Sequence, residues 1–260
     1  MQIGIVGLGS MGRNMALRCL QGGHEICCFN RTFKKSRELA EKGARAAETP
    51  EALISMLAPP RLVWLMLPSG QVTREHIDLF AGLLSPGDIL VDGSNGSFKD
   101  DDSNRSILHQ KDIHYLDAGV SGGIWGLHVG YCTMIGGERD IFEHIRPILE
   151  TLAPEKGYLY CGPCGAGHFT KMIHNGIEYA MMQAYAEGFA LLENSPYRKH
   201  MKLDEIATLW NRGSVIRSWL LELLASALAG DNDLQGLEPF VDDSGEGRWT
   251  VMQAIESGTP

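Results

Sequence analysis

Short apolar runs and helix-spaced apolar positions alternate along the first two thirds of the chain, and only helical spacing continues after that. Residues 2–6 open with QIGIV. EICCFN (25–30), LVWLML (62–67), DILVDGS (88–94), HYLDAGV (114–120), YCTMIGG (131–137) and GYLY (157–160) then read as strands. Several are continuously apolar rather than alternating, as strands covered on both faces must be. Helical patterns lie between many of them, for example over 33–42 and 139–151. This order predicts an α/β, doubly wound domain over residues 1–166. From there the pattern predicts helices over 168–193, 203–210, 214–229 and 249–255, an all-α domain over 167–260. The polar, glycine-rich stretch DNDLQGLEPFVDDSGEGR connects the last two, and Gly165-Ala166-Gly167 marks the domain boundary.

One helical stretch breaks the usual rule for a buried face. In KMIHNGIEYAMMQAYAEG (171–188), Lys171, His174, Asn175 and Glu178 fall within an arc of roughly 100°. Met182 and Tyr185 continue the same stripe and read as ordinary core. A lysine, a histidine, an amide and a carboxylate along one line suit a helix that borders a cleft before it enters a core.

The first strand is followed by Gly7, Gly9 and Gly12 in GxGxxG spacing, and then by apolar positions at helical intervals. Strand, glycine turn and helix is the context of a Rossmann-like dinucleotide site, with pyrophosphate on the helix N-terminus. An NAD-selective domain places a carboxylate after the second strand; this chain has Asn30-Arg31-Thr32, then Lys34 and Lys35. Guanidinium grips phosphate through paired hydrogen bonds, so the turn favours the 2′-phosphate of NADP. Ligands of such a sheet gather at strand C-terminal ends. Pro68-Ser69-Gly70, Ser94-Asn95 and Ser121-Gly122-Gly123 are expected around one crevice.

Composition narrows the partners. The chain has 260 residues, 44% hydrophobic and 21% charged, in the range of globular proteins. A formal charge of -9 argues against nucleic acid as the main partner, because phosphate backbones need a basic face. There is no apolar run long enough for a transmembrane helix, and a strand starting at Gln2 leaves no room for a signal peptide. Six scattered cysteines suggest a reducing, cytoplasmic setting. Cys161-Gly-Pro-Cys164 has the spacing of a redox-active pair, but no thioredoxin-sized unit surrounds it. No second CxxC offers a zinc site, so no metal is expected.

Together GLGSMGRNMA, FNRT, DGSN, DAGVSGGIWG, GAGHFTKMIHNGIEY and GSVIRSWLL resemble the decarboxylating 6-phosphogluconate dehydrogenases of shorter bacterial type, in the β-hydroxyacid dehydrogenase superfamily. The resemblance covers essentially the whole chain. KMIHNGIEY is its most specific part: relatives of the 3-hydroxyisobutyrate dehydrogenase type share GxGxxG, VSGG and a catalytic lysine, but lack HNGIEY.

The resemblance implies oxidative decarboxylation of 6-phosphogluconate to ribulose 5-phosphate and CO2 by a cytoplasmic homodimer of the pentose phosphate pathway, with NADP, or alternatively NAD, as oxidant. Lys171 matches the general base and acid at the C3 hydroxyl, and Glu178 the acid that protonates C1 of the enediol. Asn95, Ser121, Gly122, Gly123, His174, Asn175 and Tyr179 match substrate-binding positions, and Arg217 an arginine that holds the substrate phosphate. Gly7, Gly9, Gly12, Asn30, Arg31 and Thr32 match cofactor positions. Leu8, Ser10 and Met11 in the same turn, with Leu67, Pro68 and Asn95 at strand ends, are further candidate cofactor contacts.

Chemistry supports the two catalytic roles. Oxidising a secondary alcohol requires a base for its proton, and a lysine serves if burial or neighbouring cations lower its pKa. After carbon dioxide leaves, a second acid must protonate another carbon.

Departures from the family pattern also stand in the chain. Ile124-Trp125 occupies the place where longer members have a carboxylate near the nicotinamide. Only one copy of the helical domain is evident, and no tail carrying an arginine and a histidine toward a neighbouring subunit follows, so a truncated C-terminus is one expectation. A β-hydroxyacid dehydrogenase of the 3-hydroxyisobutyrate type and a non-catalytic NADP-binding regulator are the alternatives; Arg217 disfavours a phosphate-free substrate.

Overall fold

A computed structural model describes residues 1–231, 234, 236–238 and 240–259. Asn232, Asp233, Gln235 and Pro239 of the expected connector, and Pro260 of the expected helical domain, lie outside the described residues. The chain forms two compact units, Met1–Ile173 and His174–Pro260.

The first unit alternates strand and helix in the order β1 (Gln2–Val6), α1 (Ser10–Gln21), β2 (Glu25–Phe29), α2 (Phe33–Ala40), β3 (Arg45–Ala47), α3 (Pro50–Met56), β4 (Leu62–Leu65) and α4 (Gln71–Leu83). Then come β5 (Ile89–Asp92), α5 (Phe98–His109), β6 (His114–Ser121), α6 (Gly126–Val129), β7 (Cys132–Gly137), α7 (Arg139–Leu152) and β8 (Tyr158–Gly162). The eight strands make one sheet in the order β3-β2-β1-β4-β5-β6-β7-β8. Every neighbour pair is parallel except β6 with β7.

Alternate strand residues enter two separate cores, which is why the strands read as continuously apolar. Ile3, Ile5, Trp64 and Val91 face α1 and α7 through Met15, Cys19, Ile145 and Leu149. Val6, Val63, Leu65 and Leu90 face α3, α4 and α5 through Leu53, Phe80 and Leu108. At about 25 cal/mol per Å² of apolar area, these two layers supply most of the unit's driving force.

The short edge strand β3 is absent from the sequence-based reading. Arg45-Ala46-Ala47 has no β-branched or aromatic residue to signal a strand. It is a strand because its backbone pairs with Cys27, Cys28 and Phe29 of β2.

In β1, β4, β5 and β6 the register is parallel, so all four C-terminal ends reach the same edge of the sheet. Val6 pairs with Leu65, Leu65 with Asp92, and Asp92 with Asp117. The chain reverses direction across the sheet at β1, where α1 begins, the position at which open α/β sheets bind ligands.

Helix α8 (Ala166–Glu193) belongs to both units, the division falling between Ile173 and His174. This is further along the chain than the expected boundary after Ala166, because the first turns of α8 pack on the sheet. A side chain at Gly167 would overlap backbone oxygens of Met134 and Asp117.

The second unit continues with α9 (Leu203–Trp210), α10 (Trp219–Gly230) and α11 (Glu246–Ser257). Its core joins Phe189, Leu203, Ala207, Leu221 and Leu228, with the Trp210 ring edge-on to Phe189 at 5.6 Å between centroids. Expected over 214–229, α10 starts only at Trp219. Ser218 caps it by accepting from the Leu221 N–H at 3.1 Å, and Tyr185 holds the preceding turn by donating to the Ile216 carbonyl at 2.6 Å.

Met182 and Tyr185 are not ordinary core. Met182 is 47% exposed, and both residues line an apolar cleft of about 700 Å³ together with Phe189, Leu220, Leu223 and Leu224.

Candidate active site

The glycine turn is built as the dinucleotide motif requires. Gly7 has φ +94°, a left-handed conformation, and a side chain there would overlap the Met66 carbonyl. Gly12 lies against the Gly7 carbonyl, which seats α1 on the turn. Gly9 caps α1 without any side-chain cap, and the space beside it is open. Exposed N–H groups at a helix N-terminus with open space above them fit a pyrophosphate.

Asn30 braces this turn. Its Oδ1 accepts from the Leu8 N–H at 2.8 Å, and its Nδ2 donates to the Thr32 carbonyl at 3.2 Å. The amide is thus braced against the protein's own backbone, and Arg31 and Thr32 beside it are exposed. Ser10 is exposed and Met11 half-buried beside it. After β4, Leu67 is half-buried and Pro68 exposed, with the Pro68 carbonyl fixed by the Thr73 hydroxyl at 2.9 Å.

After β5 the backbone turns at Asp92, whose Oδ1 accepts from the Ser94 N–H at 2.9 Å, and Asn95 stands exposed on that turn. After β6, Ser121, Gly122 and Gly123 lead into a 3-10 turn, Gly123–Trp125, and then α6. Helix α1 holds this segment. Asn14 donates to the Ile124 carbonyl at 3.1 Å and Arg18 to the Leu127 carbonyl at 3.1 Å. Ile124 and Trp125 are 61% and 51% exposed, so an apolar pair stands where the longer relatives were expected to carry a carboxylate.

Lys171 is only 7% exposed although it is a lysine. Its Cβ and Cγ lie over Gly119 of β6, where any side chain would collide with them. The Lys171 ammonium also reaches Cys132 electrostatically: burial pushes that thiol's pKa up, and the lysine charge opposes the rise.

One turn earlier on α8, His168 is 2% exposed and places Nδ1 3.0 Å from both oxygens of Asp101. Asp117 accepts from the Gly165 N–H at 2.7 Å and the His168 N–H at 2.9 Å, capping α8 from β6. Tyr115 donates to Asp101 at 2.8 Å. Burial alone would lower the histidine's pKa, but Asp101, with Asp92 and Asp117 beyond it, raises it to about 10. Desolvation pushes the Asp101 carboxyl up to about 6, with His168 opposing.

Ligand atoms of Asp92, Asp101 and His168 lie within 4.8 Å of one another, close enough to bind a cation. Within this cluster His168 and Asp101 are paired with each other at 3.0 Å.

In the second unit, His174 Nδ1 lies 3.0 Å from Asn175 Oδ1 and 3.6 Å from Glu178 Oε2. Asn175 is buried, while His174 and Glu178 are half-buried. Tyr179 lies over Gly247 and its hydroxyl meets the Ser244 hydroxyl at 3.2 Å. Arg217 is exposed in the turn before α10 and borders a cleft of about 660 Å³ with Thr208, Asn211, Arg212 and Ser218.

The structure thus gathers Gly7 to Gly12, Asn30, Leu67, Pro68, Asn95 and Ser121 to Gly123 along one sheet edge of the first unit. His174, Asn175 and Glu178 form a second group. Nothing local in the sequence marks His168, Asp101 and Asp117 as a group; GAGH and LDAG hold two of them, but neither says that they meet. Burial raises the pKa of both Cys161 and Cys164, the opposite of what a redox-active CxxC needs.

Two family models account for the chain: the NAD binding domain of 6-phosphogluconate dehydrogenase matches residues 2–162 and the C-terminal domain of 6-phosphogluconate dehydrogenase matches residues 167–260. YqeC of Bacillus subtilis is 41% identical over 259 residues, covering 100% of this chain and 86% of that protein. The NAD(+)-dependent, decarboxylating 6-phosphogluconate dehydrogenase of Haloferax volcanii is 37% identical over 262 residues, covering 100% of this chain and 86% of that protein. Among solved structures, the Plasmodium falciparum 6-phosphogluconate dehydrogenase, described with NADP+ and with 6-phosphogluconate, matches with a TM-score of 0.90 and 32% identity. That match covers 100% of this chain and 59% of the other. A 3-hydroxyisobutyrate dehydrogenase of Salmonella typhimurium, at 23% identity and a TM-score of 0.81, shares the fold. Among the described residues no helix is long and apolar enough to cross a membrane.

Proposed function

This chain belongs to the 6-phosphogluconate dehydrogenase family, and on that premise we propose that it oxidatively decarboxylates 6-phosphogluconate to ribulose 5-phosphate and CO2. The observation that carries the reading is Lys171, a buried lysine laid over Gly119 two residues before Ser121. A lysine largely shielded from water beside the C-terminal end of a sheet strand is placed to act as a general base.

A bound dinucleotide would supply the hydride acceptor for C3. Open space at Gly9 and the exposed N-terminus of α1 fit its pyrophosphate, and Arg31 in place of a carboxylate favours NADP while still admitting NAD.

Lys171 takes the C3 hydroxyl proton as the carbonyl forms. When the C1 carboxylate departs as CO2, the electron pair moves toward the C3 oxygen, and the Lys171 ammonium returns a proton to it, giving the enediol. Glu178 then protonates the enediol carbon that was C2 of the substrate, and the hydroxyl on the former C3 gives up its proton as the carbonyl re-forms there; these two carbons become C1 and C2 of ribulose 5-phosphate. His174, Asn175, Tyr179, Asn95 and the Ser121 to Gly123 backbone bind and orient the sugar acid, and Arg217 pairs with its phosphate.

We place the reaction in the cytoplasm and in a homodimer. The 700 Å³ apolar cleft of the second unit, together with Trp219 at 44% exposure, supports a second chain covering this face. A stable monomer by sedimentation at micromolar concentration rejects the dimer. The activity is tested by supplying 6-phosphogluconate with NADP or with NAD and following reduced nicotinamide and released CO2. Dinucleotide binding without reduction on this substrate rejects it.

A further inference from the structure

The reaction above makes no use of the buried histidine at the start of α8. His168 lies between two elements that each carry a candidate site residue. On one side its ring edge faces the turn after β5: a Cβ at Gly96, the neighbour of Asn95, would come within 3.3 Å of His168 Cε1 and 3.5 Å of Nδ1. On the other side its own helix carries Lys171 one turn on. Nδ1 binds Asp101 of α5, and Asp101 in turn accepts from Tyr115 of β6. Phe98, which follows the Asn95 turn, meets Phe169 edge-on at 5.0 Å.

We propose that His168 is a positioning residue, which through Asp101 and Gly96 holds the turn carrying Asn95 in fixed relation to the helix turn carrying Lys171.

The contact is polar for a reason. An apolar side chain could fill the space beside Gly96, but it would leave the buried Asp101 carboxyl without the donor at Nδ1. A buried acceptor stripped of its partner is destabilising, so Asp101 would relax toward water and draw the start of α5 with it. The imidazole supplies that donor at 3.0 Å. Nε2 has no hydrogen-bond partner among the described residues, so the ring works through Nδ1. Asparagine at this position retains a donor close to the Nδ1 position and leucine does not, which gives the test its sign. A misplacement near 1 Å costs on the order of 10² in rate when reacting groups must be aligned.

The roles of Asn95 and Lys171 rest on the function proposed above; the contact between the two turns does not. The experiment therefore has two readouts on the full chain, with wild type, His168→Leu, His168→Asn and Asp101→Asn. The first is amide hydrogen exchange over 94–97 and 166–171. Exchange should rise in both segments in His168→Leu and Asp101→Asn, and stay near wild type in His168→Asn. The second is turnover of 6-phosphogluconate. His168→Leu should lower kcat at least tenfold with the dissociation constant for NADP unchanged, and His168→Asn should recover most of the loss. If His168→Leu does not fold, Asp101→Asn is read in its place on both measures. Unchanged exchange in 94–97, or equal losses in the leucine and asparagine variants, overturns the proposal. A wild-type protein without turnover rejects the proposed function, while the exchange measurement still decides the positioning role.

Discussion

Asp117 of β6 accepts hydrogen bonds from two backbone donors at the start of α8, the Gly165 N–H at 2.7 Å and the His168 N–H at 2.9 Å. One carboxylate, fully buried, thereby joins the central sheet to the helix whose next turn carries Lys171. Gly136 and Gly167 leave the room it needs, because a side chain at either would overlap its oxygens or come close to them.

Removing that cap should destabilise the fold directly. Hydrogen bonds to a charged acceptor contribute roughly 1.5–3 kcal/mol each, and deleting the acceptor strands two buried donors. Asp117→Ala is therefore expected to lose about 3 kcal/mol or more of unfolding free energy, and Asp117→Asn less, since its one remaining oxygen still accepts. Urea unfolding followed by circular dichroism measures both, and an alanine variant within about 0.5 kcal/mol of wild type would contradict the account.

Lys171 and Glu178 should fail at different steps. Lys171→Met should lose a factor of at least about 10² to 10⁴ in NADP reduction while binding the dinucleotide nearly normally, as expected when a positioned base is removed. Glu178→Gln should slow overall turnover yet still release CO2 from a supplied 3-keto acid. His174→Ala and Asn175→Ala should raise KM more than they lower kcat, because binding and orientation are their proposed work. Wild-type rates in Lys171→Met would remove the lysine from the mechanism.

Cofactor choice should follow Arg31. With the Asn30 amide occupied by Leu8 and Thr32, the exposed guanidinium is the nearest candidate for a 2′-phosphate. NADP should bind more tightly than NAD, and Arg31→Asp should reverse the order. Calorimetric titration with both dinucleotides checks it, and tighter binding of NAD by the wild type would overturn this use of Arg31.

Stability should fall as pH rises above neutral. His168 holds its proton in the fold up to about 10, against an ordinary 6.5, so folding takes up a proton between those values. The stabilisation from this group is complete below pH 6.5 and is lost as pH climbs toward 10. Asp101, raised from 3.8 to about 6, acts in the same direction at lower pH: the folded form binds its proton more tightly, so stability declines as pH rises through that window. Urea midpoints between pH 7 and 10 should decrease in wild type and decrease less steeply in His168→Asn. Equal slopes would show that the buried imidazole contributes no linkage.

Much of this architecture was legible in the residue order because it depends on local physics. A five-residue apolar strand, a glycine turn and an amphipathic helix announce themselves at the start of the chain, and β1 and α1 lie where that pattern puts them. Helix α9 coincides with its periodic stretch, since helical spacing is read within one element. Lys171, His174, Asn175 and Glu178 were visible for the same reason: polar groups on an otherwise buried stripe stand out against the period.

Contacts between distant segments were not legible. Strand β3 exists through pairing with β2, and α10 starts late because Tyr185, on another helix, holds the turn before it. That Asn30 braces Leu8 across the turn is likewise a contact the sequence does not show. Asp101, Asp117 and His168 lie far apart in the chain, and each alone is an unremarkable polar residue. They meet because parallel pairing of β5 with β6 sets Asp92 beside Asp117, and because α8 packs its first turn over Gly119 and Gly136. A buried charge declares itself only through what surrounds it, and long-range strand register, which no local propensity encodes, decides those surroundings.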